Sequence, residues 1–385
     1  GGATRGKRPP KTTRSGGGGE KKGTAEKKKK NRHYQDYLDF REAIHHIPPH
    51  RILAINRGER AKVLRVKIEA DEPAIEQTAV ELLVPPDHPH RDLLIGCVRD
   101  ALARLVLPSL EREARRDMQE KAETHAVHVF AKNLRNLLLQ PPLTGRRVLA
   151  IDPGYKNGCK LAALDEFGAL LEHDLIHIVG SDEQKTAARA KLLELIQKHQ
   201  LTVIAIGNGT ACRQTEQLIA EILAGELAHQ DIHYVVVNEA GASVYSTSEI
   251  GREEFPQCEA LDRSAISIAR RLQDPLSELV KIDPASIGVG LYQHDTREKH
   301  LRDTLDDVVQ SCVSYVGVDL NSASSALLRY VSGMNQLTAR RVYEHRHQNG
   351  PFRSRQQLLE VNGFGDATFV QAAGFLKIEN GGNPL

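Results

Sequence analysis

The stretch VLAIDPGYKNG, residues 148–158, decides how this chain is read. An apolar run, Val148–Ile151, ends in Asp152. Pro153-Gly154 then turns the backbone, and Gly158 releases it into a second apolar run, Cys159–Leu164. Short apolar runs bounded by Pro and Gly read as buried strands joined by a tight connection. Leu170–Leu171 and Leu175–Ile178 supply a third. An acidic residue at the carboxyl end of a central strand stands where open α/β sheets place their sites. The plainer alternative is that Asp152 closes an Asx-type turn ahead of Pro-Gly, and the motif by itself leaves both open.

The residues that follow extend the pattern. Ser181–His199 reads as an amphipathic helix with Leu192, Leu193, Leu195 and Ile196 facing inward. Leu201–Ile206 is a buried strand leading into Gly207-Asn208-Gly209-Thr210, and Thr210–Leu223 is a helix. Ile232–Val237 is a strand ending at Asn238-Glu239. A small-residue turn, residues 240–243, precedes a helix near Leu261–Leu272. The order β-β-β-α-β-α-β-α is that of an RNase H-like core with a mixed sheet.

As a nuclease, such a core needs three or four carboxylates converging on two Mg²⁺ ions, which activate water and stabilise the leaving oxygen. Asp152 and Glu239 are the metal-ligand candidates. Asn208 ends the intervening strand but is a poorer, neutral ligand, and the closing helix offers Asp262. An Arg263 turned inward would repel metal and attract phosphate. The expected site is therefore a degraded nuclease centre. Asp152, Asn208, Glu239 and Asp262 are vestigial candidates for catalysis, and Mg²⁺ is a cofactor only if the nuclease reading holds. Phosphate could still dock on the turn N–H groups around Gly154 and Gly209. An actin-like ATPase would use Asp152-Pro153-Gly154 and Gly207-Asn208-Gly209 as phosphate loops. Gly288–Gly290 lies too far along to serve as its adenosine motif.

Composition bounds these readings. The chain has 385 residues, room for two or three domains, and its 40% hydrophobic and 26% charged residues describe a soluble globular protein. No apolar run approaches membrane-spanning length and no signal-peptide core is present, so no membrane partner is expected. Cys97, Cys159, Cys212, Cys258 and Cys312 are scattered without a CxxC, as reduced thiols of an intracellular protein would be. The net charge of +2 is unevenly spread: residues 1–32 carry twelve Lys and Arg against Glu20 and Glu26, a balance of +10. That segment reads as a disordered basic tail or linker. The opening Gly1 suggests a fragment.

Between tail and core, residues 33–144 read as mainly helical. A short helix ends at Pro48-Pro49, and Arg51–Ile55 and Val63–Ile68 alternate like short strands. A helical period begins at Asp92 and runs through Leu93, Leu94, Val98, Leu102 and Leu105. A second, long helix is expected from an N-cap at Ser109 to Leu139, closed by Pro141-Pro142. The RNase H-like domain then occupies 145–280.

Residues 281–385 begin with a helical linker, including Asp303–Val318, and end in a duplicated unit. One copy contains Val331-Ser332-Gly333-Met334-Asn335 and the other Val361-Asn362-Gly363-Phe364-Gly365. This is the helix-hairpin-helix pattern. Its glycines let backbone approach a phosphate while the second helix offers its free N–H groups and positive end. The candidate nucleic-acid contacts are Gly333, Asn335, Arg340, Arg341, Arg353, Arg355, Gly363, Gly365 and Lys377. Backbone contacts of this kind carry no sequence information. A plain αα-hairpin packing on protein is the alternative.

Together these stretches resemble the Tex family of transcription accessory proteins. The resemblance runs over 33–385 through IDPGYKNGCK (151–160), IAIGNGTACRQTE (204–216), NEAGASVYS (238–246), ARRLQDPLSELVKIDPASIGVGLYQHD (269–295), VSYVGVDLNSAS (313–324) and AAGFLKIENGGNPL (372–385). It implies a multidomain α/β and α protein with a YqgF-type RNase H-like domain that lacks nuclease activity. RNA, DNA and the transcription machinery are the implied partners. The implied compartment is the cytoplasm of a bacterium, in association with the nucleoid, or the nucleus of a eukaryote. The family's N-terminal helix-turn-helix part and C-terminal OB-fold RNA-binding domain have no counterpart in these residues. Such a domain supplies much single-strand affinity through aromatic stacking, so weaker binding than the whole protein is expected. Two other functions stay open: a structure-selective nuclease resembling Holliday-junction resolvases, and a protein-interaction hub.

Overall fold

The computed structural model describes residues 34–155, 157–290 and 292–378. The basic tail of residues 1–32 and the closing residues 379–385 lie outside the described residues. The chain divides after Ala126 into two compact units.

The first unit is helical: α1 (Pro49–Arg60), α2 (Glu72–Leu83), α3 (Arg91–Ala101) and the start of α4 (Leu107–Leu138). Two expectations fail here. Arg51–Ile55 belongs to α1, because Pro49 sits at its first position, where a missing N–H costs nothing and the fixed φ suits a helix. The prolines thus start a helix rather than end one, while Val63–Ile68 forms no strand. Ser109 caps nothing: α3 continues through a π-type turn, Leu102–Val106, straight into α4, and Ser109 is interior. Pro108 lacks a donor and crowds the preceding turn, and the wider π turn takes up that mismatch.

The second unit holds a five-stranded sheet: β1 (Val148–Asp152), β2 (Cys159–Leu164), β3 (Leu170–Ile176), β4 (Val203–Gly207) and β5 (His233–Val237), in the order β3-β2-β1-β4-β5. β1 pairs antiparallel with β2 and parallel with β4, and β4 runs parallel to β5. This is the mixed sheet expected of an RNase H-like domain. Alternation divides the strand residues between two cores. Leu149, Ile151, Leu161, Ile204 and Ile206 meet α5 (Asp182–His199) and α6 (Cys212–Ala224) through Leu192, Leu195, Ile219 and Ile222. Val148, Ala150, Ala162, Val203 and Ala205 meet α9 (Ala260–Gln273) through Ala265, Ile268 and Ala269. Two short helices, α7 (Ala242–Thr247) and α8 (Glu249–Glu254), bridge β5 to α9, and α10 (Pro275–Leu279) follows it.

Next come α11 (Glu298–Val316), β6 (Val318–Asp319), α12 (Ser325–Leu328), α13 (Gln336–Asn349), α14 (Asp366–Ala372) and β7 (Leu376–Lys377). β6 and β7 pair in parallel and tie the start of the duplicated unit to its end.

Candidate functional site

Asp152 closes β1 on the sheet face that carries Val148 and Ala150, the face covered by α9. Its cross-strand partner on β2 is Lys160, so both side chains leave the same face. α9 turns Ser264, Ile268 and Arg271 toward that face, at helical spacing. Ser264, on the first turns of α9, is the residue of that helix whose side chain acts on Asp152. Burial pushes the Asp152 carboxyl above its ordinary range, opposed by Ser264 and the Lys160 ammonium.

Glu239, just beyond β5, brings the second carboxylate. It lies in the turn Gly207-Asn208-Gly209. Its backbone N–H donates to Asn208 Oδ1 at 3.0 Å. A Cβ on Gly207 would stand 2.5 Å from Glu239 Oε2 and 3.0 Å from Pro153 Cδ, and one on Gly209 would overlap the carboxylate. A side chain at either position would push the Glu239 carboxylate out of the turn. The cradle expected to receive a phosphate is therefore filled by the protein's own carboxylate. Burial raises the Glu239 pKa, the charge of Asp152 adds to that, and the Gly209 N–H, Arg271 and Lys160 oppose it. Lys160 is only 8% exposed, with Nζ 3.6 Å from where a Cβ on Gly154 would lie. Arg271, also buried, donates to Asn238 O at 2.7 Å and Ala240 O at 2.8 Å and so pins the segment that carries Glu239.

The structure brings Asp152, Asn208 and Glu239 together and leaves Asp262 apart. Asp262 closes the capping box of α9, accepting the Glu259 N–H at 3.1 Å, and stands 3.3 Å from His173 Nδ1. Arg263 does not turn into the metal space. Its guanidinium donates to the carbonyls of Ser246 (2.7 Å), Cys258 (2.8 Å) and Phe255 (3.3 Å). Among the described residues no group of three or more His, Cys, Asp or Glu is placed to hold a metal ion. Two carboxyls that share their surroundings with a buried lysine are fewer anionic donors than two Mg²⁺ ions need. Lys160 escaped the sequence reading, and helix register decides that Ser264 and Arg271 rather than Asp262 and Arg263 face the site. The signal for Lys160 was the hairpin itself, because closing the turn across Pro153–Gly158 pairs residue 160 with 152.

The second candidate region is the duplicated unit. Gly333 and Gly363 both have φ +79°, a left-handed conformation that glycine adopts without strain. Each turn is closed alike: the Met334 N–H donates to Val331 O and the Phe364 N–H to Val361 O, both at 3.0 Å. Val331, Met334, Val361 and Phe364 are buried, while the turn glycines are exposed. The copies pack reciprocally. A Cβ on Gly333 would stand 2.7 Å from Gln371 Cβ on α14, and one on Gly363 would meet the guanidinium of Arg341 on α13.

The other expected contacts differ in how free they are. Asn335 caps α13, accepting from the N–H groups of Leu337 (2.9 Å) and Thr338 (3.0 Å). Arg340 pairs with Glu344 at 2.9 Å, Arg341 donates to Asn362 O at 3.1 Å and Arg355 to Ala373 O at 2.9 Å. Arg353 is exposed, and Lys377 lies opposite Asp319 in the β6–β7 pair. Gly365 precedes α14 with no heavy atom within 4 Å of where a Cβ would be.

Family comparisons follow the same divisions. Residues 146–273 match the Tex protein YqgF-like domain, 17–130 the Tex central region-like model and 313–377 the helix-hairpin-helix motif. The chain is 44% identical over 358 residues to the transcriptional accessory protein Tex of Neisseria gonorrhoeae, covering 91% of this chain and 47% of that one. The chain belongs to the Tex family. YdcI of Bacillus subtilis (strain 168) is 44% identical over 353 residues, 91% of this chain and 49% of its own. The human S1 RNA-binding domain-containing protein 1 is 42% identical over 350 residues, 89% of this chain and 35% of its own. The chain thus spans about half the length of the Neisseria and Bacillus relatives. The match to the Tex central region begins at residue 17, within the basic segment. Among the described residues no helix is long and apolar enough to cross a membrane.

Proposed function

We propose that this chain grips nucleic-acid backbones for the transcription machinery through its tandem hairpins, and that its RNase H-like domain does not cut. The observation that carries this reading is the repetition of one turn geometry thirty residues apart, at Gly333 and Gly363. A duplicated turn that exposes backbone suits a ligand with repeating phosphates. The name of the Neisseria relative supplies the link to transcription, and that of the human relative names RNA. RNA and DNA are both assigned as partners, and the compartment follows from them: bacterial cytoplasm near the nucleoid, or a eukaryotic nucleus. Absence of cutting follows from the donor set around Asp152 and Glu239.

The test is fluorescence anisotropy with duplexes and single strands of unrelated sequence, comparing the parent with Gly365→Leu. The added side chain enters open space, so the variant folds but holds phosphate away. Affinity should fall about tenfold for every sequence, with a shallower salt dependence. A folded variant that binds as tightly as the parent refutes the assignment.

A protein-interaction hub is the second reading. It is favoured by Leu82, Leu83, Leu93 and Leu105 of the first unit, each at least 67% exposed. Co-purification of polymerase that survives nuclease treatment would support it.

A further inference from the structure

The RNase H-like domain keeps two carboxylates at the ends of β1 and β5, and a buried lysine leaves the same face of the sheet as the first of them. Asp152 and Lys160 are cross-strand partners on the face covered by α9. Glu239 reaches the same place from the far side of β4, seated in the Gly207–Gly209 turn. A lysine that is 92% buried is rare unless charge of the opposite sign surrounds it. Here Asp152 and Glu239 supply that charge, and the Lys160 ammonium acts on both. Arg271 adds a second positive charge acting on Glu239 from α9.

We propose that the Lys160 ammonium is the resident cation of the Asp152–Glu239 site, so that a neutral side chain at 160 opens a divalent-cation site there. This deepens the non-cutting reading above by naming the group that stands in for metal. With Lys160 in place, a divalent ion entering beside the two carboxylates would leave a partly buried site with excess positive charge. Without it, the donors that remain are hard oxygens: Asp152, Glu239, the Asn208 amide oxygen and the Ser264 hydroxyl. Glu239 Oε2 is buried without a hydrogen-bond partner, so one carboxylate oxygen is unspent. Oxygen donors of this kind suit Mg²⁺ or Mn²⁺.

The experiment is a Mn²⁺ titration of the full chain followed by electron paramagnetic resonance. It compares the parent, Lys160→Ala, Lys160→Gln and the double variant Lys160→Ala with Asp152→Asn. The neutral variants should bind Mn²⁺ at least about tenfold more tightly than the parent, and their melting temperature should rise with added Mn²⁺. The double variant should lose that gain. Should Lys160→Ala fail to fold, Lys160→Gln keeps most of the buried aliphatic stem and a polar end without the charge, and gives the same readout. Tight Mn²⁺ binding by the parent that disappears in Asp152→Asn overturns the proposal, and so does a folded neutral variant that gains none. Duplex affinity measured on the same samples separates the two readings. Its failure would remove the gripping function and leave Lys160 untouched, whereas a metal-binding parent would remove Lys160's role and leave the hairpins untouched.

Discussion

Gly363 and Gly365 stand two residues apart in the second hairpin, and the structure assigns them opposite sensitivities. Gly363→Ala places a Cβ on a backbone with φ +79°, which costs an L-residue roughly 1–2 kcal/mol. The same Cβ displaces the Arg341 guanidinium, whose bond to Asn362 O contributes about 1 kcal/mol. The expected destabilisation is about 2–3 kcal/mol. Gly365→Ala meets neither obstacle: φ is −91°, ψ is 174°, and no heavy atom lies within 4 Å of the new carbon. Its effect should stay within about 0.5 kcal/mol. Loss of chain freedom in the unfolded state is common to both changes and cancels in the comparison. At about 2–4 °C per kcal/mol for a unit of this size, Gly363→Ala should lower the melting temperature by roughly 4–12 °C and Gly365→Ala by about 2 °C at most. Thermal melts by circular dichroism read this directly. Equal losses, or a larger loss for Gly365→Ala, would refute the turn geometry on which the duplicated site depends.

Two further outcomes follow from side chains outside the hairpins. Arg263→Ala removes three charge-assisted bonds to the carbonyls of Ser246, Phe255 and Cys258, and should cost about 2–3 kcal/mol in a denaturant melt without creating Mn²⁺ affinity. Glu172, held by the Lys198, His199 and Lys191 side chains, has its carboxyl lowered to about 2. A carboxyl depressed on folding stabilises above its unfolded value, and that contribution is lost as pH falls toward the folded one. The stability gap between parent and Glu172→Gln, on the order of 1 kcal/mol at neutral pH, should therefore narrow as pH is lowered from about 6 to about 3.

The sheet was legible because β1, β2, β4 and β5 are short, largely apolar runs with Pro, Gly or a polar pair near their ends, and because the helix period resumes between the later ones; β3, LLEHDLI, is apolar only at its two ends. The duplicated hairpins were legible as a repeated Val-x-Gly-apolar spacing. Local signals misled where a neighbouring turn decided the outcome. Pro48-Pro49 carries the marks of a helix stop as well as a helix start. Ser109 looks like an N-cap until the π turn at Leu102–Val106 carries one helix into the next. Around Asp152, the order of elements was readable but their register was not. Asp262 carries the right charge on the right helix, yet its side chain returns to the N–H of Glu259 and to His173. Lys160 lies in the same short segment as Asp152, yet only strand pairing shows that the two are opposite each other. Likewise, Gly207-Asn208-Gly209 has the composition of a phosphate loop, and nothing local reveals that Glu239, some thirty residues later, fills it.

The central claim, that this protein holds nucleic acid without cutting it, is tested most directly by one gel. The purified chain is incubated with labelled duplex, branched and single-stranded DNA and RNA in Mg²⁺ or Mn²⁺, and each sample is run native and denaturing side by side. The account predicts shifted complexes on the native half and full-length strands on the denaturing half, for every substrate and both metals. Shortened strands that form only with metal, and that vanish in a folded Asp152→Asn variant, would contradict it.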